Sequence, residues 1–320
     1  MKTKSHFARD FIDLARLGRT DWRSLTLTIL IFTLLIFAAT FGALLLPIPG
    51  MQVFRNLYLH HFSLNIAIQN FLTAAGGPVG VAGFWVTCKF VLRRPFASLI
   101  SVDLRFSIKR FLLGAGLYLA AYMVSLVAMY IYAGLRFDIW SSPIGHFLFP
   151  KTNQNVNPIL RILLALILAL GVSFFAFGEE LYMRGWMTQT LGQYIRAPAI
   201  VVIIVSVSFA LLHTQYKWPV RFEMFLVALG YSALSLRDRR LELAVGAHSM
   251  NNIWAGLKSI IYTGQQHVDF PISLPDLIVF DFIKIALPFG MMYIFLQVTN
   301  GWSKPNPINL SGSPRELTGI

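Results

Sequence analysis

The stretch "ILLALILALGVSFFAFGEELYMRG", residues 162–185, joins a long apolar run to two glutamates and an arginine. An apolar run of this length is typical of a helix that crosses the hydrocarbon core of a membrane. Charged side chains are costly inside a bilayer, and where they occur they mark functional sites by default. Glu179, Glu180 and Arg184 therefore predict a polar site within a membrane helix.

The composition of the whole chain supports a membrane protein. Of its 320 residues 56% are hydrophobic and only 13% are charged, and the mean hydropathy is +0.63. A soluble protein with an unusually large core does not need several apolar runs near 20 residues, the length that spans hydrocarbon. We therefore predict an all-α polytopic membrane protein with about eight transmembrane helices. The candidate spans cover residues 25–47, 70–92, 111–134, 159–178, 198–213, 222–236, 241–262 and 277–298.

The basic residues of the connections predict the orientation. The two ends and the even-numbered connections hold 18 lysines and arginines, whereas the alternate connections hold 5. Because basic residues concentrate on the cytoplasmic side, both termini are expected in the cytoplasm, and we expect an integral protein of the plasma (inner) membrane. The net charge of +13 then reflects topology. The lipid bilayer is the expected surroundings, and no nucleic-acid partner is expected, since no folded soluble domain presents these charges.

The pattern divides the chain into three parts. Residues 1–24 are an amphipathic cytoplasmic segment, residues 25–298 are the transmembrane helical domain, and residues 299–320 are a cytoplasmic tail. The motif core lies at about residues 159–262. The amino-terminal segment is expected to lie along the inner leaflet surface. Its apolar helical face consists of Phe7, Phe11, Leu14 and Leu17.

Polar residues interrupt the predicted spans in three places, each with a structural explanation. Glu180 and Arg184 stand four residues apart, so they could neutralise one another on a helix. His213 closes "FALLH" at the end of the fifth span, where an imidazole can reach the headgroups. His248 and Asn252 of "HSMNN" could form hydrogen bonds between helices.

The spacing of the clusters favours a single site. If the fourth and fifth spans form a hairpin that turns at residues 194–198, Glu179 and His213 both lie about 17 residues from the turn, roughly 25 Å along the helices. The sixth and seventh spans turn at residues 237–240, and His248 lies about 12 Å beyond that turn. The clusters can then meet below the cytoplasmic surface, among spans four, five and seven.

This set of side chains suits peptide hydrolysis. A glutamate beside a histidine can hold and deprotonate a water molecule. Histidine and asparagine can donate hydrogen bonds to the oxyanion that forms when a carbonyl becomes tetrahedral. The low dielectric of a membrane cavity strengthens such donors.

The three motifs resemble those of one protease family. "EELYMRG" is similar to the EExxxR motif, "FALLH" to FxxxH, and "HSMNN" to HxxxN of the CPBP family. This family comprises type II CAAX prenyl endopeptidase-like and bacteriocin-processing intramembrane proteases, also called abortive-infection proteins. The resemblance covers about residues 159–262 and implies an intramembrane endopeptidase with a cavity open to the cytoplasm.

The resemblance also implies a role for each motif residue. Glu179 would activate the water together with His213, and His248 and Asn252 would form the oxyanion site. Arg184 would orient the glutamates.

The neighbours of these residues are expected to have supporting roles or none. Our helix geometry pairs Glu180 with Arg184. Phe209 would pack within its motif, and Asn251, about 100° around the helix from its neighbour Asn252, is interpreted as a bystander.

The sequence leaves more than one interpretation open for the metal, the substrate and the activity. Glu179, His213 and His248 are candidate zinc ligands as a two-histidine, one-carboxylate set, although the chain has no HExxH motif. No other cofactor is expected. The substrate would be a peptide or a membrane-associated protein, and the oligomeric state is open. Two alternatives are a non-catalytic membrane partner, such as an immunity or scaffold protein, and an ion- or proton-coupled transporter.

The remaining ionisable residues are interpreted as structural or solvated. Asp281 and Lys284 of the last span, three residues apart, are expected to neutralise one another, and Glu223 and Glu242 sit at span edges. Four histidines fall in the outer connections, where solvated surface is the usual explanation: His60, His61, His146 and His267.

Overall fold

The computed structural model describes residues 6–45, 77–138, 140, 158–261 and 273–299. Within these ranges the regular structure is helical without a β-strand, and an isolated antiparallel bridge joins Ser101 to Arg240. The predicted all-α fold class is confirmed for this part of the chain. The four histidines of the outer connections and almost all of the carboxyl-terminal tail lie outside the described residues.

The helices of the described ranges are numbered α1 to α9. A 3-10 turn at Asp13–Leu17 follows α1, and π-helical segments lie within α3, α5 and α9. Each of the eight expected spans overlaps one of the helices α2 to α9. The helices are α1 (His6–Ile12), α2 (Trp22–Leu45), α3 (Gly77–Leu92), α4 (Ile108–Phe137), α5 (158–194), α6 (Pro198–Leu212), α7 (Trp218–Asp238), α8 (Glu242–Ile261) and α9 (Leu274–Val298).

The apolar helices indicate a membrane protein. Three helices of the described part, α4, α7 and α9, are long and apolar enough to cross a bilayer. Shorter apolar stretches occur in α2, α3 and α6. Many large apolar side chains on these helices point outward, as expected for a surface in contact with lipid rather than water. The count of eight spans stays a prediction.

The two turns that determine the depth of the polar residues lie where the sequence predicts them. The α-helical end of α5 is Tyr194, and Pro198 is the first residue of α6. Proline suits this position because its missing N–H would have no helical partner there. Between α7 and α8 the chain turns through Arg239, which has a positive φ of 59°. Both helical hairpins are therefore confirmed.

Helix α8 packs most extensively against α4 and next against α5. Two glycines allow the close approach of α4 and α8. A Cβ atom at Gly114 would collide with the backbone of Leu243, and one at Gly246 would collide with the backbone of Phe111. The middle of α8, which carries His248, is thereby held between two other helices.

A buried polar network closes the end of the bundle that carries these turns. Arg110 forms an ion pair with Asp238, and Arg240 forms ion pairs with Asp103 and, at 2.8 Å, with Glu242. Burial acts to raise the pKa of Asp103, but hydrogen bonds from Ser101 and Arg240 outweigh it and lower the pKa below its usual value. Glu242 lies at the edge of its span as expected, since it is the first residue of α8, and its side chain is fully buried in this network.

Three residues of the apolar face of the amino-terminal segment pack against protein. Phe11, Leu14 and Leu17 are buried in a core cluster that also contains Leu99 and Trp186. The predicted location along the leaflet surface is therefore wrong for these residues. Apolar periodicity shows which face leaves water, but the same face can be covered by protein or by lipid.

Hydrogen bonds hold the same segment against the α5–α6 turn. The guanidinium of Arg9 donates to the carbonyl oxygens of Gly192 at 2.7 Å and Ile195 at 3.1 Å, and also to that of Arg196. These carbonyls lie at a helix carboxyl end, where they have no intrahelical donors. Arg9 thus caps the carboxyl end of α5.

The pairing expected in the last span is also different. Lys284 forms its ion pair with Glu223 of α7 rather than with Asp281 one turn away. The contact joins α7 to α9. The π-helical segment Phe282–Ala286 includes Lys284. Its wider turn changes the angle between successive side chains, so the α-helical spacing that pairs Asp281 with Lys284 does not hold here.

We predict that Phe11→Ala destabilises the protein by about 3–5 kcal/mol, because the truncation leaves a cavity in a packed core. The measurement is the thermal unfolding midpoint in detergent. Phe90→Ala is the matched control, since Phe90 is 63% exposed and its truncation leaves no cavity. Equal midpoints for the two variants would show that the segment is not part of the core.

Candidate active site

Helix α5 changes its winding directly after the two glutamates. The α-helical part ends at Glu180, and the π-helical segment Leu181–Met187 follows. The Thr188 hydroxyl donates to the carbonyl of Met183, five residues earlier, at 2.8 Å. π-helical turns within α-helices are rare and often lie at functional sites. This one contains Arg184.

Glu180 and Arg184 form the buried base of the site. The guanidinium of Arg184 donates to Glu180 Oε1 at 3.1 Å, which confirms the predicted pairing. It also donates to the carbonyl of Ala228 at 3.0 Å and to the Ser232 hydroxyl at 3.3 Å, both on α7. The arginine is thus neutralised by α5 and hydrogen-bonded to α7, which joins the two helices.

His248 of α8 lies between the two glutamates. Its Nδ1 atom is 2.8 Å from Glu180 Oε1, and its Nε2 atom is 3.4 Å from Glu179 Oε2. Because Glu180 is ion-paired with Arg184, its carboxylate is an acceptor, so Nδ1 carries the proton. The Nε2 atom is then the one presented to Glu179.

His213 reaches the other oxygen of Glu179. It is the first residue after α6, and its Nδ1 atom is 2.7 Å from the carbonyl oxygen of Phe209. A carbonyl oxygen can only accept a hydrogen bond, so Nδ1 is protonated here as well. The Nε2 atom lies 4.0 Å from Glu179 Oε1. Two imidazoles from different helices thus direct Nε2 toward one carboxylate.

The two glutamates differ in the exposure of their side chains. The side chain of Glu179 is 23% exposed and that of His213 17%, whereas Glu180 and Arg184 are 0% and 1% exposed. His248, at 6%, lies between these two layers. Glu179 and His213 are therefore the pair that a water molecule can reach.

Asn252 lies one turn beyond His248 on α8. Its Oδ1 atom accepts a hydrogen bond from Asn251 Nδ2 at 3.4 Å. The Asn251 Oδ1 atom in turn accepts from the Tyr118 hydroxyl of α4 at 2.9 Å. Asn251, interpreted as a bystander from its position around the helix, thus links Asn252 to α4 through hydrogen bonds.

A family model described as Type II CAAX prenyl endopeptidase Rce1-like matches residues 160–254. The motif-bearing core of this chain is similar to the Rce1-like family. The match includes all the residues singled out in the three motifs, and it confirms the resemblance that those motifs predict. It supports a membrane hydrolase of the CAAX-protease type.

A more distant similarity extends over a larger part of the chain. The uncharacterized protein YyaK of Bacillus subtilis strain 168 is 22% identical over 195 residues, which are 58% of this chain and 60% of that protein. This chain therefore spans less than two thirds of the length of that relative. No solved structure matches the chain.

The contacts of the motif residues include residues that the three motifs do not contain. The Tyr231 ring of α7 stacks on the His248 ring, with centroids 4.7 Å apart and planes 20° apart. The Arg184 guanidinium lies 4.9 Å from the Phe209 ring and 5.5 Å from the Tyr231 ring. Helices α7 and α4 therefore complete a site expected from spans four, five and seven alone. In the sequence, Tyr231 and Ser232 are visible only as polar residues within a predicted span, and nothing there places them beside His248 and Arg184.

The three candidate zinc ligands, Glu179, His213 and His248, converge in the structure. Among the described residues, no group of three or more His, Cys, Asp or Glu side chains has an arrangement that could hold a metal ion. The two imidazoles face different oxygens of Glu179. The structure therefore gives no support to a metalloprotease. Zinc binding by these three residues stays a prediction.

We predict that Arg184→Met destabilises the protein by about 3–5 kcal/mol, because it leaves the buried Glu180 carboxylate without its counter-charge. The double variant Glu180→Gln/Arg184→Met should recover much of this loss, since a glutamine oxygen can still accept from His248 and no unpaired charge remains. Thermal unfolding in detergent measures both. Equal destabilisation of the single and double variants would contradict this electrostatic explanation.

Proposed function

We propose that this protein is an intramembrane endopeptidase of the CAAX-protease type. It hydrolyses a peptide bond with a water molecule activated by Glu179 and His213. One observation carries the proposal: the Glu179 carboxylate lies between two imidazoles, 3.4 Å from His248 Nε2 and 4.0 Å from His213 Nε2. The nitrogens of both rings that face away from Glu179 are already hydrogen-bonded, so the facing nitrogens remain for chemistry.

The first step is proton transfer from water to the carboxylate. In a neutral His213 ring the Nε2 lone pair faces the lone pairs of the carboxylate, which is unfavourable unless a proton-bearing group lies between them. A water molecule can donate one hydrogen to Glu179 and the other to His213. The Glu179 carboxylate takes the first proton while the water oxygen attacks the substrate carbonyl, as expected for general base catalysis.

The second step is stabilisation of the charge that forms on the carbonyl oxygen. His248 enters the reaction protonated on both nitrogens and keeps both protons throughout. Its Nε2–H donates to this oxyanion, and Glu180 supports the positive ring through Nδ1. The Asn252 amide nitrogen supplies a second donor. When the tetrahedral intermediate collapses, the proton held by Glu179 passes to the amine leaving group, so the carboxylate is regenerated.

The family match suggests the substrate class. Its description names prenyl CAAX endopeptidases, so a prenylated peptide or a membrane-associated protein tail is the proposed substrate. We propose that the protein lies in the plasma membrane with eight spans and with both termini on the cytoplasmic side. The cavity of the site then opens to the cytoplasm. The division of the chain into three parts at residues 24 and 298 belongs to the same proposal. So does the expectation that the protein has no nucleic-acid partner.

We predict that Glu179→Gln lowers kcat by about 10³-fold or more, since a positioned general base contributes about 10²–10⁴-fold. The assay measures cleavage of a fluorogenic, farnesylated CAAX peptide by purified protein in detergent. His213→Ala should lower kcat by a similar factor. Glu223→Gln is the matched control, because Glu223 is a helix carboxylate whose partner is Lys284 rather than a histidine, and its variant should cleave at close to the wild-type rate.

Two results would contradict the proposal. Wild-type turnover by Glu179→Gln would remove the carboxylate from the mechanism. A wild-type protein that cleaves neither the farnesylated peptide nor its unprenylated form would favour the non-catalytic partner instead.

A separate prediction concerns metal. Because the proposed mechanism activates water with Glu179 and His213 alone, we expect cleavage to survive prolonged dialysis against a chelator, with residual metal measured by mass spectrometry. Loss of activity that Zn²⁺ alone restores would show that Glu179, His213 and His248 rearrange into a zinc site.

A further inference from the structure

A chain of side-chain hydrogen bonds runs from α4 to the last motif residue. The Tyr118 hydroxyl donates to Asn251 Oδ1 at 2.9 Å, and Asn251 Nδ2 donates to Asn252 Oδ1 at 3.4 Å. The donors point the same way at each step, so each bond polarises the next. The chain ends on the oxygen of the Asn252 amide.

Because the chain of hydrogen bonds ends on Oδ1, it determines which end of the Asn252 amide can face a substrate. A side-chain amide has an oxygen acceptor and a nitrogen donor of nearly the same shape, and it can rotate to exchange them. An oxyanion site needs the donor, because an amide oxygen turned toward the developing charge would repel it. With Oδ1 held by Asn251, the Nδ2 hydrogens are the part of Asn252 that remains for a substrate.

Tyr118 is a rigid starting point for this chain. Its side chain is 5% exposed, and its ring lies 6.0 Å from the rings of both Tyr122 and Phe289. The glycine contacts described above bring the backbones of α4 and α8 together a turn or more away, at Gly114 and Gly246. The tyrosine ring therefore has little freedom, and the hydroxyl has a fixed position beside Asn251.

We propose that Tyr118 and Asn251 are positioning residues that orient the Asn252 amide with its nitrogen toward the substrate oxyanion, an inference that rests on the proposed function. Neither residue touches the reacting atoms. Both act on the transition state through Asn252. Their loss is therefore expected to change the rate of the chemical step more than substrate binding.

The first test compares two tyrosines one turn apart on α4. Tyr118→Phe removes the hydroxyl that starts the chain, and it should lower kcat about 3–10-fold with KM unchanged, a part of the about 10²–10³-fold that an oxyanion donor supplies. Tyr122→Phe makes the same chemical change without removing a member of the chain, and its kcat should remain within about twofold of wild type. The assay uses the farnesylated CAAX peptide in detergent.

The second test separates positioning from a merely structural role. Asn251→Asp keeps the acceptor for Tyr118 but turns a carboxylate oxygen toward Asn252 Oδ1, so it should lower kcat further than Tyr118→Phe. In an Asn252→Ala background, Tyr118→Phe should have no further effect on kcat, because the group on which it acts is absent. Thermal midpoints of all variants identify any that fail to fold.

The outcomes distinguish this inference from the proposed function. Full activity of Tyr118→Phe and Asn251→Asp beside an inactive Glu179→Gln would overturn the inference alone. So would a Tyr118→Phe effect that persists undiminished in the Asn252→Ala background, since it would then act on folding. A wild-type protein without peptidase activity would overturn the proposed function and this inference with it.

Discussion

The buried ion pair between Glu180 and Arg184 is the interaction on which the site depends. Each group alone would be an uncompensated charge in an apolar bundle, and such charges are strongly destabilising. Together they are neutral, and they leave specific atoms for other helices: Glu180 Oε1 holds His248 Nδ1, and the guanidinium holds Ala228 and Ser232 of α7. Helices α5, α7 and α8 are therefore fixed relative to one another by polar contacts that apolar packing alone could not specify.

The relative positions of the motif residues can be predicted from the sequence, and the reason is physical. Residues four apart lie on one side of a helix, so the spacing of Glu180 and Arg184 and that of His248 and Asn252 each constrain geometry without knowledge of the fold. The hairpin turns fix how far along its helix each residue lies, because proline and arginine mark the ends of the helices. These distances are enough to place Glu179 near His213. The helical class and approximate helix positions follow from hydropathy alone.

The rest could not be obtained from the sequence, because it depends on which surface covers which. Amphipathic periodicity identifies Phe11, Leu14 and Leu17 as a face that leaves water, yet protein rather than lipid covers that face. Lys284 bonds to Glu223 on another helix, although spacing favours Asp281. Tyr231 has no charged neighbour in the sequence that would mark it, so only tertiary structure shows its ring against His248.

Three of the four groups that would contact the reacting atoms share one design. His213 and His248 each have two ring nitrogens, and in both the protein holds Nδ1 while Nε2 faces Glu179. Asn252 has two amide ends, and Asn251 holds one of them. A side chain with one atom held by protein cannot rotate to exchange its two polar atoms without losing that hydrogen bond, so in the proposed mechanism the donors and acceptors are set before substrate arrives. In a site of low dielectric this matters more than in water, because a misdirected lone pair there is repelled without solvent to compensate it.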